Sequence, residues 1–186
     1  MPTPRPKLDR NDAVVLLIDV QERLLPAMPP ARLERLFKYA KAMILAARDL
    51  GVPVLATEQY PKGLGATAPA LRELLPGPPL VKMHFSCAAD PAFTAALEAT
   101  GRKQVIIVGI ETHVCVFQTA RDLVSMGYEV YVCADATASR SDEHRESGLE
   151  LIRSSGAAIH NVESAIFDLL HACGTDEFKR IAPLVK

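Results

Sequence analysis

The stretch "VIIVGIETHVCVFQTARDL", residues 105–123, contains a strand, a tight turn and a helix in direct succession. Its first part is a run of aliphatic, mostly β-branched residues, which is typical of a buried strand. Its second part has the spacing of an amphipathic helix, and Gly109 marks the turn between them. With Thr112 as the N-cap, Cys115 falls in the first helical turn. A cysteine at the end of a core strand, beside a helix N-terminus, points to chemistry at this position.

The same strand-then-helix pattern extends over the rest of the chain. Short apolar runs predict six strands, over residues 13–19, 52–57, 79–83, 104–110, 128–135 and 157–164. Helical spacing predicts helices at residues 31–50, 68–75, 91–100, about 112–126 and 141–156, with two short helices at the end. Strands that alternate with helices form βαβ units, and their continuous Val, Ile and Leu content fits a parallel sheet covered on both faces.

The composition limits the kinds of protein this can be. A chain of 186 residues, 49% of them hydrophobic, is long enough for one domain over residues 1–186. Its net charge of -1 gives no basic excess for nucleic acid, and no apolar run reaches the ~18 residues of a membrane span. Residues 1–12 are Pro-rich and charged, so we expect a loose arm rather than a signal peptide. The four cysteines form no C-x-x-C pair, which predicts free thiols in a reducing cytoplasm.

Three residues near strand ends stand out, because ligands of parallel sheets bind beyond the carboxyl ends of the strands. They are Asp19, Lys82 and Cys115. Each also has a purely structural interpretation. Asp19 could cap a helix, Lys82 could reach water from an edge strand, and Cys115 could fill a small space in the core.

Taken together, the three side chains make up a nucleophilic site. A thiol that attacks an amide carbon must lose its proton, and a nearby carboxylate can accept it. We expect the helix N-terminus to lower the pKa of Cys115 and favour the thiolate. Lys82 would keep the carboxylate ionised, and backbone N–H groups of the turn would stabilise the oxyanion.

Three motifs resemble those of the isochorismatase-like cysteine hydrolases, a family that includes nicotinamidases and N-carbamoylsarcosine amidohydrolase. They are "LLIDVQ" (16–21), "LVKMHFSC" (80–87) and "VGIETHVCV" (108–116), in the family's order. The resemblance covers nearly the whole chain. It implies a three-layer α/β/α sandwich with a mainly parallel, six-stranded, Rossmann-like sheet, and a homo-oligomer.

The resemblance also implies specific roles. Asp19, Lys82 and Cys115 match the family's catalytic triad. The peptide bond between Ile110 and Glu111 would be cis, and the N–H groups of Glu111 and Cys115 would form the oxyanion hole. No cofactor is implied.

Two departures from the family patterns narrow the expected activity. Nicotinamidases carry a histidine-containing metal site after the second strand, but "LATEQYPKGLGAT" (55–67) has no histidine. We therefore predict no metal and a substrate other than nicotinamide. True isochorismatases lack the nucleophilic cysteine that this chain has. The segments "TEQYPKGLG" and "GIETHVC" are similar to those of a branch of the family whose substrates are generally unknown.

Six further residues near the strand ends are candidates for substrate binding: Gln21, Glu58, Tyr60, His84, Phe85 and His113. Gln21 could instead be a surface turn residue, and both histidines could be solvated groups outside the site. Asp135 is interpreted as a structural cap for the loop 136–141.

The sequence therefore predicts a cytoplasmic, metal-independent hydrolase that cleaves a small amide or carbamoyl compound through a thioester. The alternatives are a non-hydrolytic binding or scaffold protein on the same fold, and an isochorismatase-type vinyl-ether hydrolase. A dinucleotide-binding oxidoreductase fits the fold class only, because "DVQERL" replaces the G-x-G-x-x-G turn after the first strand.

Overall fold

The computed structural model describes residues 7–186, which contain six strands and eight α-helices. The strands are β1 (Ala13–Ile18), β2 (Val54–Gln59), β3 (Leu80–Lys82), β4 (Gln104–Ile110), β5 (Glu129–Ala138) and β6 (Ala158–His160). They form one sheet in the order β3-β2-β1-β4-β5-β6, and every neighbouring pair is parallel. The predicted α/β class is confirmed, and the sheet is entirely rather than mainly parallel.

The helices connect successive strands and close the chain. They are α1 (Pro30–Asp49), α2 (Pro61–Leu64), α3 (Pro69–Arg72), α4 (Pro91–Ala99), α5 (Phe117–Ser125), α6 (Asp142–Ser154), α7 (Val162–Leu170) and α8 (Asp176–Ile181). Side chains cap α4 and α6, since Asp90 accepts from the Ala92 N–H at the start of α4 and Ser141 from the His144 N–H at the start of α6. The short helix α2 follows directly after β2.

Two apolar cores lie on opposite faces of the sheet, as the period-2 alternation of strand side chains requires. In β1, Val15 and Leu17 belong to the core that includes α1, α7 and α8. Val14, Leu16 and Ile18 belong to the core that includes α4, α5 and part of α6. Helix, sheet and helix layers follow from this arrangement.

The end of the sheet differs from the sequence prediction. β6 stops at His160 instead of continuing to residue 164, because Asn161 accepts a hydrogen bond from the Ser164 N–H and starts α7. Asp135 accepts from the Val162 N–H at 2.9 Å, so it caps α7 rather than the loop 136–141. β5 itself runs on to Ala138.

Part of the predicted N-terminal arm is packed against the fold. Leu8 is fully buried, and its N–H donates to Asp168 Oδ2 at 3.0 Å. The Asp9 N–H donates to Gln104 Oε1 at 2.8 Å. The prediction of a loose arm is therefore wrong for residues 8 and 9, while residues 1–6 lie outside the described part. Among the helices of residues 7–186, none is long and apolar enough to cross a bilayer.

The order of the strands brings the three chemical motifs to one place. The chain builds the sheet outward from β1 in one direction and then from β4 in the other, so β1 and β4 are neighbours although they are far apart in sequence. Such a switch point leaves a crevice at the carboxyl ends of the strands. Asp19 follows β1 there, and the segment that carries Cys115 follows β4.

Candidate active site

Asp19 lies at the carboxyl end of β1 and is completely buried. Its backbone has a φ of +50°, which is uncommon for a residue other than glycine and turns the chain sharply after the strand. Thr57 Oγ1 donates to Asp19 Oδ1 at 2.8 Å, and Lys82 Nζ lies 2.7 Å from Oδ2. The carboxylate is thus held from both sides, by a hydroxyl donor on one oxygen and by an ammonium group on the other.

Lys82 forms the other half of this buried ion pair. Its Nζ also donates to Gln59 Oε1 at 2.7 Å and to the carbonyls of His84 and Phe85 at 3.1 Å. Burial is the largest single effect on Lys82 and lowers its pKa, but the charge of Asp19 together with Cys87, Cys115 and the hydrogen bond to Asp19 outweighs it, and the pKa is raised. Although β3 is an edge strand, this side chain is 1% exposed and does not reach water. It is a fixed positive charge beside Asp19.

Cys115 lies in an unusual helical turn between β4 and α5. The turn spans Thr112–Val116 and has π-helical hydrogen bonding, with the Val116 N–H donating to the Glu111 carbonyl at 3.2 Å. Glu111 precedes the turn, so Thr112 is not the N-cap of a regular α-helix as predicted. π-turns are rare and often occur at functional sites.

The approach to this turn depends on a glycine. Gly109 has a φ of +128°, and a Cβ atom there would lie 2.2 Å from the Ile18 carbonyl oxygen of β1. No other residue fits so close to the neighbouring strand. The peptide bond between Ile110 and Glu111 is cis, as the family resemblance implies.

The environment of Cys115 raises rather than lowers the pKa of its thiol. The side chain is buried, and burial is the main cause of the shift. The Asp19 charge and a hydrogen bond to Asp19 raise the pKa further, while Lys82 lowers it. The expected thiolate-favouring effect of the helix N-terminus is therefore wrong for the free site. The raised pKa favours the protonated thiol in the free site.

A pocket of about 100 Å³ opens onto the Cys115 and Asp19 side chains. Its lining consists of Asp19, Leu24, Gln59, Leu64, Phe85, Ile110, Glu111, Val114 and Cys115. Five of these residues are apolar. The Glu111 carboxylate is paired with Arg140, whose Nε lies 3.1 Å from Oε2. The pocket therefore combines a thiol, two carboxylates and an apolar wall.

Of the six residues considered for substrate binding, Phe85 is part of the pocket lining. Gln21 is fully buried and lies outside it. Its Nε2 donates to the carbonyls of Gln59 and Gly65 at 3.0 and 2.7 Å, and its Oε1 accepts from the Gln59 N–H. Gln21 is therefore neither part of the pocket lining nor a surface turn residue. Its hydrogen bonds hold the end of β2 in place.

The remaining four residues also lie outside the pocket lining. Glu58 accepts hydrogen bonds from the N–H and hydroxyl of Thr67, and so anchors the loop after α2. Tyr60 and His84 are exposed, and His84 reaches the site only through its carbonyl. His113 is turned toward Ser139, whose Oγ lies 3.0 Å from Nδ1, and its ring stacks on His144.

Gln59 is the residue that sequence reasoning missed. It lines the pocket and binds Lys82, while its Nε2 donates to the Met83 carbonyl at 2.8 Å. The predicted β2 ended at residue 57, whereas the strand continues to Gln59. Thr57 and Gln59 face the same way by the period of two, so a correct strand end would have identified the pair.

Among residues 7–186, no three His, Cys, Asp or Glu side chains are grouped so that they could hold a metal ion.

Comparison with known proteins gives one matching family. The model of the isochorismatase domain matches residues 13–164. A secreted isochorismatase effector, Isc1, of Phytophthora sojae is 40% identical over 97% of this chain and 87% of its own length.

Solved structures with the same fold include two kinds of relative. The MAR1 ribonuclease of Caenorhabditis elegans is 33% identical with a TM-score of 0.89, over 97% of this chain and 92% of that one. YcaC of Escherichia coli, described as an octameric hydrolase of unknown specificity, is 28% identical with a TM-score of 0.90, over 98% and 90%. YcaC of Pseudomonas aeruginosa, 27% identical over 98% and 93% with a TM-score of 0.89, is described with hexane-2,5-diol and covalent acrylamide.

Proposed function

We propose that this chain, which belongs to the isochorismatase domain family and has a hydrolase among its relatives, hydrolyses a small amide or carbamoyl compound with Cys115 as nucleophile. The observation that carries this proposal is that Cys115 and Asp19 line the same small pocket, with the Asp19 carboxylate ion-paired to Lys82. The arrangement supplies a nucleophile, its base and a fixed counter-charge in one pocket.

The proposed reaction has two halves. The Cys115 proton passes to Asp19 as the sulfur attacks the carbonyl carbon, and the same proton then goes to the nitrogen as the C–N bond breaks. Water then attacks the thioester, giving its proton through Asp19 to the departing sulfur. Asp19 can take these roles because its hydrogen bond to the thiol places it within reach of the proton. Lys82 stays charged throughout and stabilises the ionised carboxylate between steps.

The N–H groups of Glu111 and Cys115 are the proposed oxyanion hole. Those of Val114 and Val116 are not available, since both donate to the Glu111 carbonyl. Two N–H groups directed at the developing negative charge would lower the barrier of both halves.

The pocket favours a small, neutral substrate. Its volume of about 100 Å³ is well below the several hundred cubic ångströms of typical ligand sites. Asp19 and Glu111 are already ion-paired to Lys82 and Arg140, and the pocket lining within residues 7–186 contains no Lys or Arg that would attract a carboxylate or a phosphodiester. The vinyl ether of isochorismate and the RNA substrate named for the nematode relative therefore suit this pocket less well than a short-chain amide.

Homo-oligomer formation is part of the proposal because the E. coli YcaC relative is octameric. A cytoplasmic location remains a prediction, and the Phytophthora relative is described as secreted.

The test combines a covalent probe with turnover. The acrylamide in the P. aeruginosa relative supports acrylamide as the probe, since it alkylates nucleophilic thiols. We expect acrylamide to label Cys115 in the intact protein, and peptide mass spectrometry follows this site separately from the exposed Cys173. A panel of small aliphatic amides and carbamoyl compounds is then screened for ammonia release.

Cys115→Ala should remove the labelled Cys115 peptide and abolish ammonia release, while Cys173→Ala, which removes an exposed thiol, should leave both labelling at Cys115 and ammonia release unchanged. Ammonia release that persists in Cys115→Ala would disprove the nucleophile. A labelled Cys115 with no turnover on any compound of the panel would instead favour a binding protein on the same fold.

A further inference from the structure

A second cavity lies on the far side of the sheet's carboxyl edge, beyond β5 and β6. Its volume is about 480 Å³, and it shares no lining residue with the Cys115 pocket. The lining comes from α1, β5, α6, β6 and the start of α7: Arg35, Ala134, Asp135, Arg145, Ile159, His160, Asn161 and Ser164. The proposed hydrolysis uses none of these residues.

Arg145 contributes a half-buried guanidinium that is paired with no carboxylate of the described residues. Its Nε donates to the Thr137 carbonyl at 3.2 Å, and a terminal nitrogen donates to the Ala134 carbonyl. No ion pair joins it to an acidic side chain within residues 7–186. Burial, followed by the charge of Arg32, lowers the pKa of Arg145. A cation in this environment is stabilised by an added anion.

Arg35 faces the same cavity from α1 and is likewise without an acidic partner in the described part of the chain. The Cζ atom of Arg35 lies over the Tyr39 ring, 5.9 Å from the ring centre, which is a cation–π contact and not an ion pair. The neighbouring Arg32 is different, because its Nε is paired with Asp142 at 2.6 Å. Among the described residues, two of the three arginines therefore have no carboxylate at ion-pair distance, and in this sense they are uncompensated.

Asp135 is the one carboxylate in the cavity lining. It accepts hydrogen bonds from the Val162 N–H at 2.9 and 3.2 Å, so it is engaged with the start of α7. Burial raises the pKa of Asp135, while backbone N–H groups and the charge of Arg35 lower it, so this one carboxylate faces two arginines. The balance of charge around the cavity stays positive.

We propose that this cavity binds the phosphate group of a small molecule, with Arg35 and Arg145 as its main contacts. Two uncompensated guanidinium groups match a phosphate dianion better than a single carboxylate, and their planar donors suit its oxygens. The Asn161 and Ser164 side chains add polar groups at the same wall. A volume of about 480 Å³ leaves room for an organic part beside the phosphate.

The experiment measures binding of inorganic phosphate and pyrophosphate to the full chain by isothermal titration calorimetry. Ionic strength is held constant with sodium chloride, because screening alone weakens charge interactions. Three proteins are compared: the wild type, Arg35→Gln and Arg153→Gln. Arg35 and Arg153 are both exposed, so both variants should fold, and Arg153 provides a matched loss of charge on α6.

We expect one saturable site per chain in the wild type and in Arg153→Gln. Arg35→Gln should weaken binding about tenfold or more, as for the loss of a hydrogen bond to a charged group. Absence of saturable binding to the wild type, or equal binding by all three proteins, would overturn the proposal. Sedimentation velocity adds a further check. If Arg35→Gln breaks an oligomer while phosphate binding is unchanged, an acidic group of a second copy fills the cavity and the proposal is wrong.

Discussion

Asp19 acts on Cys115 in two ways that can be separated by substitution. Its negative charge and hydrogen bond raise the pKa of the thiol, yet the same carboxylate is the proposed acceptor of the thiol proton. In the proposed mechanism, Asp19 favours the protonated thiol in the free site and removes the thiol proton only when a substrate is bound. Removing the Asp19 charge should therefore raise the reactivity of the Cys115 thiol and lower the rate of turnover.

Replacing Asp19 by Asn should make Cys115 alkylate faster near neutral pH, because the loss of the nearby charge lowers the thiol pKa. Turnover should fall by about 10²- to 10⁴-fold, as expected for loss of a general base. The measurement is the pH profile of acrylamide labelling at Cys115 beside the rate of ammonia release. Circular dichroism checks folding, since the variant also leaves Lys82 without its buried partner.

Asp176→Asn is the control for this prediction, because it changes an exposed carboxylate on α8. It should leave both profiles unchanged. Slower labelling together with normal turnover in Asp19→Asn would contradict the assigned role of the carboxylate.

At the scale of the elements, α6 supports the turn that carries the nucleophile. Gly148 faces this turn, and a Cβ atom at Gly148 would lie 2.8 Å from the Cα and N atoms of His113. The atoms that such a Cβ would meet are backbone atoms of the turn, so no flexible side chain can move aside. The close packing of α6 on the π-helical turn thus depends on the absence of a side chain at one position.

Gly148→Ala should push α6 away from this turn. Overpacking costs about 1–3 kcal/mol, and the better helix propensity of Ala offsets only part of this cost. We expect a lower free energy of unfolding in urea and an altered rate of acrylamide labelling at Cys115. Ser147→Ala, at an exposed position of the same helix, should change neither quantity. Wild-type stability and labelling in Gly148→Ala would show that the turn does not need this contact.

At the scale of the whole molecule, buried thiols make stability depend on alkaline pH. Burial raises the pKa of Cys87 from 9.0 to about 11, and it also raises the pKa of Cys115 and Cys133. A group with a raised pKa in the folded state contributes stability that is complete below its unfolded pKa. That contribution is lost as the pH rises toward the folded pKa, since the unfolded thiol ionises first.

The free energy of unfolding should therefore fall between pH 8 and pH 10, with Cys87 contributing about 1 kcal/mol to the fall. This fall in the free energy of unfolding is measured by urea unfolding under reducing conditions at pH 8 and at pH 10. Cys87→Ala should show a smaller fall than the wild type, whereas Cys173→Ala, at an exposed position, should show the same fall. An equal fall in Cys87→Ala would mean that this thiol does not resist ionisation in the folded protein.

The sequence by itself determined the fold class and the positions of Asp19, Lys82 and Cys115 at the strand ends. These inferences succeed because strand and helix periodicity, glycine turns and caps are written in neighbouring residues. The errors at β2, β6 and Asp135 lie at element boundaries, where a strand continues or stops according to its partners rather than its own residues.

The tertiary structure alone decided what depends on distant segments. Gln59 could not be assigned to Lys82, nor Gln21 to Gln59, before β1, β2 and β3 were paired in register. The protonation of Cys115 followed from its burial beside Asp19, not from its place in a helix. Pocket size and the uncompensated arginines likewise emerge only after packing. Burial and electrostatic environment are sums over neighbours in space, and the sequence fixes those neighbours only through the completed fold.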